Sequence, residues 1–213
     1  LVGLAAPIRV QLAGHRLTAK AVWAAPDVEQ ALDSDGPVAV LHLDPDHRAW
    51  RALRLQGPGG EFDLNAHPRF AASLASLATA PSVPDALAVR AALEAGEPPA
   101  LDERVRVACE TLRRGDGEVG GAALAETVGL SESRFRHLFR EELGVNLKRF
   151  QLHLKCQRAL TLWRDGMSLT DLALAAGFYD QPHLNRTLRA MFDTLPSRYA
   201  RAFPVRVEHL DPA

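Results

Sequence analysis

Between residues 124 and 199 one pattern is written twice, and a repeat of this kind leaves few folds open. The first copy reads Leu124-Ala125-x-x-x-Gly129-Leu130-Ser131 and continues through Phe135, Phe139, Gly144 and Phe150. The second reads Leu172-Ala173-x-x-x-Gly177-Phe178 and continues through Leu184, Leu188, Asp193 and Tyr199. The copies are offset by 48 residues up to the glycine and by 49 after it, so the second holds one extra residue in its turn. Each copy predicts a short helix, a tight turn at glycine and a second helix, the helix-turn-helix unit. Two such units in tandem fit a chain that grips duplex DNA at two places.

Composition sets the outer bounds. At 213 residues, with 47% hydrophobic and 24% charged residues, the chain suits two modest domains rather than one large core. No apolar run approaches a membrane span and no charged-then-apolar leader opens the chain, so a soluble, cytoplasmic protein that does not engage a membrane is expected. A first residue of Leu1 rather than methionine leaves open residues ahead of it. Cys109 and Cys156 stand alone among apolar neighbours in helical patterns, which predicts buried core residues and no disulfide or metal role. Net charge is only −1, but it is uneven: residues 131–206 hold 13 Lys/Arg against 7 Asp/Glu. The basic surplus coincides with the repeat, as a surface facing phosphates requires, although a solvated helix face could also supply it.

Punctuation divides the chain into stretches 1–66, 67–99 and 100–205. In the first, Ile8-Arg9-Val10-Gln11-Leu12, Ala21-Val22-Trp23 and Val38-Ala39-Val40-Leu41-His42-Leu43 predict strands, separated by Ala13-Gly14, Pro26-Asp27, Asp35-Gly36-Pro37 and Gly57-Pro58-Gly59-Gly60. Phe70, Leu74 and Leu77, then Leu87-Ala88-Val89-x-x-Ala92-Leu93 after Pro84, recur at helical spacing. These helices either cover the sheet or mediate dimerisation. Gly96-Glu97-Pro98-Pro99 predicts a hinge.

Beyond it every element reads as helix. Asp102 is the expected N-cap of a helix through Val105, Ala108, Cys109 and Leu112 that ends at Gly115-Asp116-Gly117. Gly120 or Gly121 begins the first short helix, and Ser131 caps the helix Glu132 to Leu143. That helix puts Phe135, Leu138 and Phe139 inward and Ser133, Arg136, His137 and Arg140 outward. A helix from Leu147 to about Arg164 joins the two units and, at about 18 residues, would span roughly 27 Å. Ser168 with Asp171 forms a capping-box start for the second unit, Gly177 makes its turn, and a helix from Gln181 to Met191 follows. Leu184, Leu188 and Phe192 go inward, while Gln181, His183, Asn185, Arg186 and Arg189 go outward. Arg, Gln and Asn are the side chains able to make paired hydrogen bonds to guanine and adenine edges.

Residues 101–202 resemble the DNA-binding domain of the AraC/XylS family of bacterial transcription regulators. The resemblance rests on Leu-Ala-x-x-x-Gly-Leu-Ser-x-Ser-x-Phe-x-x-Leu-Phe-Arg at 124–140, on Asp171-Leu172-Ala173-x-x-x-Gly177-Phe178-x-Asp180-Gln181-x-His183-Leu184-x-Arg186, and on Phe192 with Pro196-x-x-Tyr199. It implies two recognition helices in successive major-groove segments of a double-stranded DNA operator. Carried over by position, Ser133, Arg136 and His137 would contact bases in one segment and Gln181, Asn185 and Arg186 in the next, with Pro182 and His183 nearby. Ser131, Arg134, Arg140, Arg149, Arg189 and Arg198 suit phosphate contacts at the flanks. Any of the arginines could instead sit in an i, i+4 pair with a glutamate. The chain departs from the family pattern at Leu184 and Leu188 (usually Phe), Asp193 (usually Gly), Ala200 (often Arg), and at Lys155 and Cys156 (usually Arg and a larger aliphatic).

In many relatives the N-terminal region is a cupin-like barrel that binds a small effector or pairs two subunits. Leu17 to Pro26 through Gly36 to Pro45 looks similar to its second portion, so the fold class expected is α+β: a small β-rich, partly cupin-like domain, then an all-α domain of two helix-turn-helix units joined by a long helix. Gln30 and Ala31 stand where such barrels commonly carry a histidine, and His15, His42, His47 and His67 lack ligand-like spacing, so neither a metal nor a cofactor is expected. Two function classes follow. One is a regulator, activator or repressor, whose N-terminal region senses a small-molecule effector or forms a homodimer; the other is a cupin-type binder or enzyme with an accessory helical domain. The sequence shows no Ser/His/Asp set, P-loop or dinucleotide fingerprint, which favours the non-enzymatic reading.

Overall fold

Strands Val2–Gly3 (β1), Ile8–Leu12 (β2), His15–Ala19 (β3), Val22–Ala24 (β4), Gln30–Asp33 (β5), Val38–Ala39 (β6) and Gly59–Glu61 (β7) pair antiparallel in three small ladders, β3-β2-β5, β1-β6 and β4-β7. The computed structural model describes residues 1–53, 55–79, 83–94, 96–115, 119–163 and 167–192. Asp193, Pro196, Arg198, Tyr199, Ala200 and the expected helix end at Arg164 lie outside the described residues, as do Asp116 and Gly117. Contacts divide the chain into two units, Leu1–Leu101 and Asp102–Ala213.

Alternation decides the first ladder. Ile8, Val10 and Leu12 of β2 are buried while Arg9 and Gln11 face out, with Arg9 paired to Asp33 at 2.8 Å and to Asp35 at 2.9 Å. Ala13 and Gly14 both take positive φ, the backbone that a two-residue hairpin between right-twisted strands requires. The expected strand Val38–Leu43 stops at Ala39, because β6 finds only the two-residue β1 to pair with. Leu41 and Leu43 instead pack against a core of Val2, Ala21, Ala39, Phe62, Phe70, Leu74, Val89 and Leu93. Strand β7 lies in the run that the sequence reads only as a separator. It pairs with β4, and Gly59, at φ 149°, admits no side chain: a Cβ there would stand 2.6 Å from the Trp23 carbonyl oxygen.

Helices Arg48–Ala52 (α1), Pro68–Thr79 (α2) and Val83–Leu93 (α3) complete the first unit. Phe70 and Leu74 of α2 and Val89 and Leu93 of α3 share their core with Val2 of β1 and Ala39 of β6, so these helices cover that ladder, while Ile8, Val10 and Leu12 of β2 pack in a separate cluster. Among the histidines, His47 caps α1 by accepting from the Ala49 N–H at 3.1 Å and lies 3.4 Å from Glu94, and His67 stacks on Phe62. His15 and His42 are exposed.

The described residues of the second unit form helices Glu103–Arg114 (α4), Gly121–Thr127 (α5), Glu132–Leu143 (α6), Leu147–Leu162 (α7), Leu169–Ala175 (α8) and Gln181–Phe192 (α9). Asp102 caps α4 through the Arg104 N–H at 2.9 Å, and the guanidinium of Arg104 holds its carboxyl low, at about 2. Val105, Ala108, Cys109 and Leu112 of α4 are buried, as are Leu124, Phe135, Phe139 and Phe150, with Phe150 meeting Phe139 edge to face at 5.5 Å. Full burial of each aromatic ring contributes about 2 to 3 kcal/mol. Further along α7, Cys156 and Ala159 join Leu172, Ala173, Phe178, Leu184 and Leu188 in a separate cluster. Helix α7, at 16 residues and roughly 24 Å, therefore carries one helix-turn-helix unit on each half.

Candidate nucleic-acid interface

The two turns close on the same pair of hydrogen bonds. In the first, the Leu130 N–H donates to the Ala125 carbonyl at 2.9 Å and the Gly129 N–H to Glu126 at 3.1 Å. In the second, Phe178 donates to Ala173 at 2.8 Å and Gly177 to Leu174 at 3.1 Å. This is the double closure of a helix C-terminus on a left-handed residue, and Gly129 (φ 68°) and Gly177 (φ 82°) supply that backbone. Ser131 then caps α6 through the Arg134 N–H, whereas in the second unit the cap is Asp180, which accepts from the His183 N–H at 2.6 Å. The extra residue is Tyr179, whose ring is 87% exposed ahead of α9. The sequence marks its place only through the change of offset, and nothing in the motif pointed to a role for it.

Helix α6 presents its outward stripe as expected: Ser133, Arg136, His137 and Arg140 are exposed, as are Ser131 and Arg134, while Phe135 and Phe139 are buried. Two of these side chains are held along the helix by carboxylates one turn away. Arg136 donates to Glu132 from Nε at 2.9 Å and from Nη2 at 2.5 Å, and His137 Nε2 lies 3.1 Å from Glu141. Ser168 opens α8 by accepting from the Asp171 N–H at 3.1 Å and donating to its carboxylate at 2.6 Å, so the carboxylate engages the cap's hydroxyl.

On α9 the outward set is narrower than the sequence suggests. Arg186, Arg189 and Pro182 are exposed, but Gln181, His183 and Asn185 are half-buried. Helical geometry explains the difference. With Leu184, Thr187 and Leu188 buried, Pro182, Arg186 and Arg189 fall opposite the core, and the other positions fall on its flanks. Gln181 receives a hydrogen bond from Thr170 at 3.3 Å, His183 stands edge-on to Phe178 at 5.2 Å, and Oδ1 of Asn185 is buried without a partner. Arg149 is half-buried near the start of α7, its N–H donating to the Asn146 side chain at 2.9 Å. Burial pushes the Cys156 thiol up to about 12, so it stays protonated. Among the described residues no three His, Cys, Asp or Glu gather to hold a metal ion, and no helix is long and apolar enough to cross a membrane.

Residues 124–202 match a family described as a helix-turn-helix domain. Over 104 residues the chain is 31% identical to the arabinose operon regulatory protein of Escherichia coli strain K12, covering 47% of this chain and 36% of that protein. The match thus spans little more than a third of that relative's length. A transcriptional regulator from Chromobacterium violaceum with an AraC-type DNA-binding domain is 28% identical, with a TM-score of 0.43 over 48% of this chain and 95% of that one. ToxT of Vibrio cholerae, solved with an unsaturated fatty acid bound, is similar at a TM-score of 0.54 and 12% identity over 96% of this chain and 86% of that one, a likeness of fold alone. The C-terminal part of this chain therefore carries a helix-turn-helix domain, similar in sequence to part of the arabinose operon regulatory protein.

Proposed function

We propose that the chain is a sequence-specific transcription regulator in which α6 and α9 read adjacent major-groove segments of one operator. The observation that carries this reading is the pair of closing hydrogen bonds that the two turns share, with an exposed polar or basic stripe on the helix after each. In the first segment Ser133, Arg136 and His137 contact bases. In the second, Arg186 leads, with Gln181, His183 and Asn185 reaching bases from the flanks of α9. Ser131, Arg134, Arg140, Arg149, Arg189 and Arg198 hold phosphates. The Leu1–Leu101 unit is where control enters, through a small-molecule effector or a second copy of the chain, by favouring one arrangement of the two units.

A gel-shift titration at several salt concentrations, on random and on genomic upstream DNA, tests the proposal. Phosphate contacts alone give binding that fades uniformly with salt, whereas base reading leaves a preference that survives it. Sequence preference persisting at raised salt is the expected result. Featureless, fully salt-sensitive binding would overturn it and leave standing the rival reading, a cupin-type binder or enzyme with an accessory helical domain.

A further inference from the structure

Helix α7 does more than span a distance, because two of its side chains, one turn apart, reach the backbone of both helix-turn-helix units. The Gln151 amide donates from Nε2 to the Val119 carbonyl at 2.9 Å, just ahead of Gly120, the N-cap of α5. The Lys155 ammonium donates from Nζ to the Gly177 carbonyl at 2.7 Å, in the turn between α8 and α9. Residues four apart on a helix share a face, so both bonds leave α7 on the same side. The Lys155 stem also lies along Gly177: a Cβ built there would meet Cε at 3.5 Å and Cδ at 3.8 Å. Both side chains are half-buried, which limits competition from water.

The apolar contacts of α7 with each unit are non-directional and tolerate small sliding. Hydrogen bonds to a turn's carbonyl do not, since they weaken steeply outside about 2.7 to 3.2 Å and below about 120°. We infer that Gln151 and Lys155 are positioning residues that fix one reading head against the other, and thereby set the number of base pairs the protein accepts between its two half-sites. One added base pair moves a half-site about 3.4 Å along the axis and about a tenth of a turn around it, beyond what either bond absorbs. The inference rests on the DNA-binding reading proposed above.

The test uses the full chain. A bipartite site is selected from random duplex DNA by the wild type, and probes are made with the spacer shortened by one base pair or lengthened by one or two. Binding is followed by fluorescence anisotropy, with thermal melting as a check on folding. The wild type should discriminate among spacers by about tenfold or more, the loss of one charge-assisted hydrogen bond being worth about that factor. Lys155→Met keeps the stem over Gly177 and removes the donor. It should bind the selected site about tenfold more weakly and bind all spacers nearly alike, with base preference inside each half-site kept; Lys155→Arg should restore discrimination. Gln151→Met should flatten the spacer profile in the same way and carries the test if Lys155→Met does not fold. Wild-type discrimination retained in Lys155→Met and Gln151→Met, or no rescue by Lys155→Arg, overturns the inference while leaving DNA reading intact. No sequence preference in the wild type itself overturns both.

Discussion

Gly129 allows the cost of a helix-turn-helix turn to be isolated. Its φ is 68°, and a Cβ added there meets nothing within 4 Å. Alanine there therefore pays no steric cost to neighbours, and its destabilisation comes from the backbone alone. Holding an L-residue in the left-handed region costs about 1 to 2 kcal/mol, and Ala recovers part of that by restricting the unfolded chain. Gly129→Ala should lose about 1 kcal/mol. Gly129→Val, β-branched and poorer still in this conformation, should lose about 2 kcal/mol. Gly129→Asn should lie closest to wild type, since Asn visits this region most readily. At about 4 to 8 °C per kcal/mol for a domain of this size, thermal melting resolves the series Asn, Ala, Val. Gly177→Ala should match Gly129→Ala, because its Cβ would meet Lys155 at an ordinary 3.5 Å. A Gly129→Ala variant with an unchanged melting temperature, or Asn costing more than Val, would falsify the turn assignment.

The reading heads and the core give further predictions. Arg136→Ala and Arg186→Ala should each relax preference at one or two base pairs and cost about 1 to 3 kcal/mol; selection experiments that return the wild-type sequence for both would refute the assignment. Because Glu132 holds Arg136 in an exposed pair, Glu132→Gln should free the guanidinium and tighten binding about twofold, most clearly at low salt, and weaker binding would count against it. With the Cys156 thiol raised from 9.0 to about 12, the unfolded chain sheds its proton first, so this residue's contribution to stability is complete below pH 9 and falls as pH rises towards 12. Alkylation of Cys156 at pH 8 should accordingly proceed only as fast as the protein opens, and rapid labelling of the folded chain would contradict its burial.

The helical half was legible because its information is local. A 3.6-residue stripe, a capping Ser or Asp and a glycine at fixed offset each act within a few residues, and Asp102, Ser131, Gly129 and Gly177 do in the fold what their spacing implied, while Ser168 caps α8 with Asp171 on its hydroxyl instead of closing a capping box. The face of α9 was less legible. Whether His183 and Asn185 point out or lie along the flank depends on which positions Leu184, Thr187 and Leu188 commit to the core, and Thr187 does not announce itself as buried. The strands were hardest, since pairing is non-local. All four residues of β5 are exposed and its sequence, Gln-Ala-Leu-Asp, shows no apolar face; it is a strand because β2 lies beside it. Likewise β7 exists because Gly59 lets the chain run against Trp23, a contact no local pattern encodes.

The most direct measurement is a hydroxyl-radical footprint of the full chain on its selected DNA sequence. Two short protected segments on one face of the duplex, centred about one helical turn or 10 base pairs apart, with one weakened in Arg136→Ala and the other in Arg186→Ala, are predicted. A single protected segment that neither substitution alters would mean that α6 and α9 do not read the same DNA together.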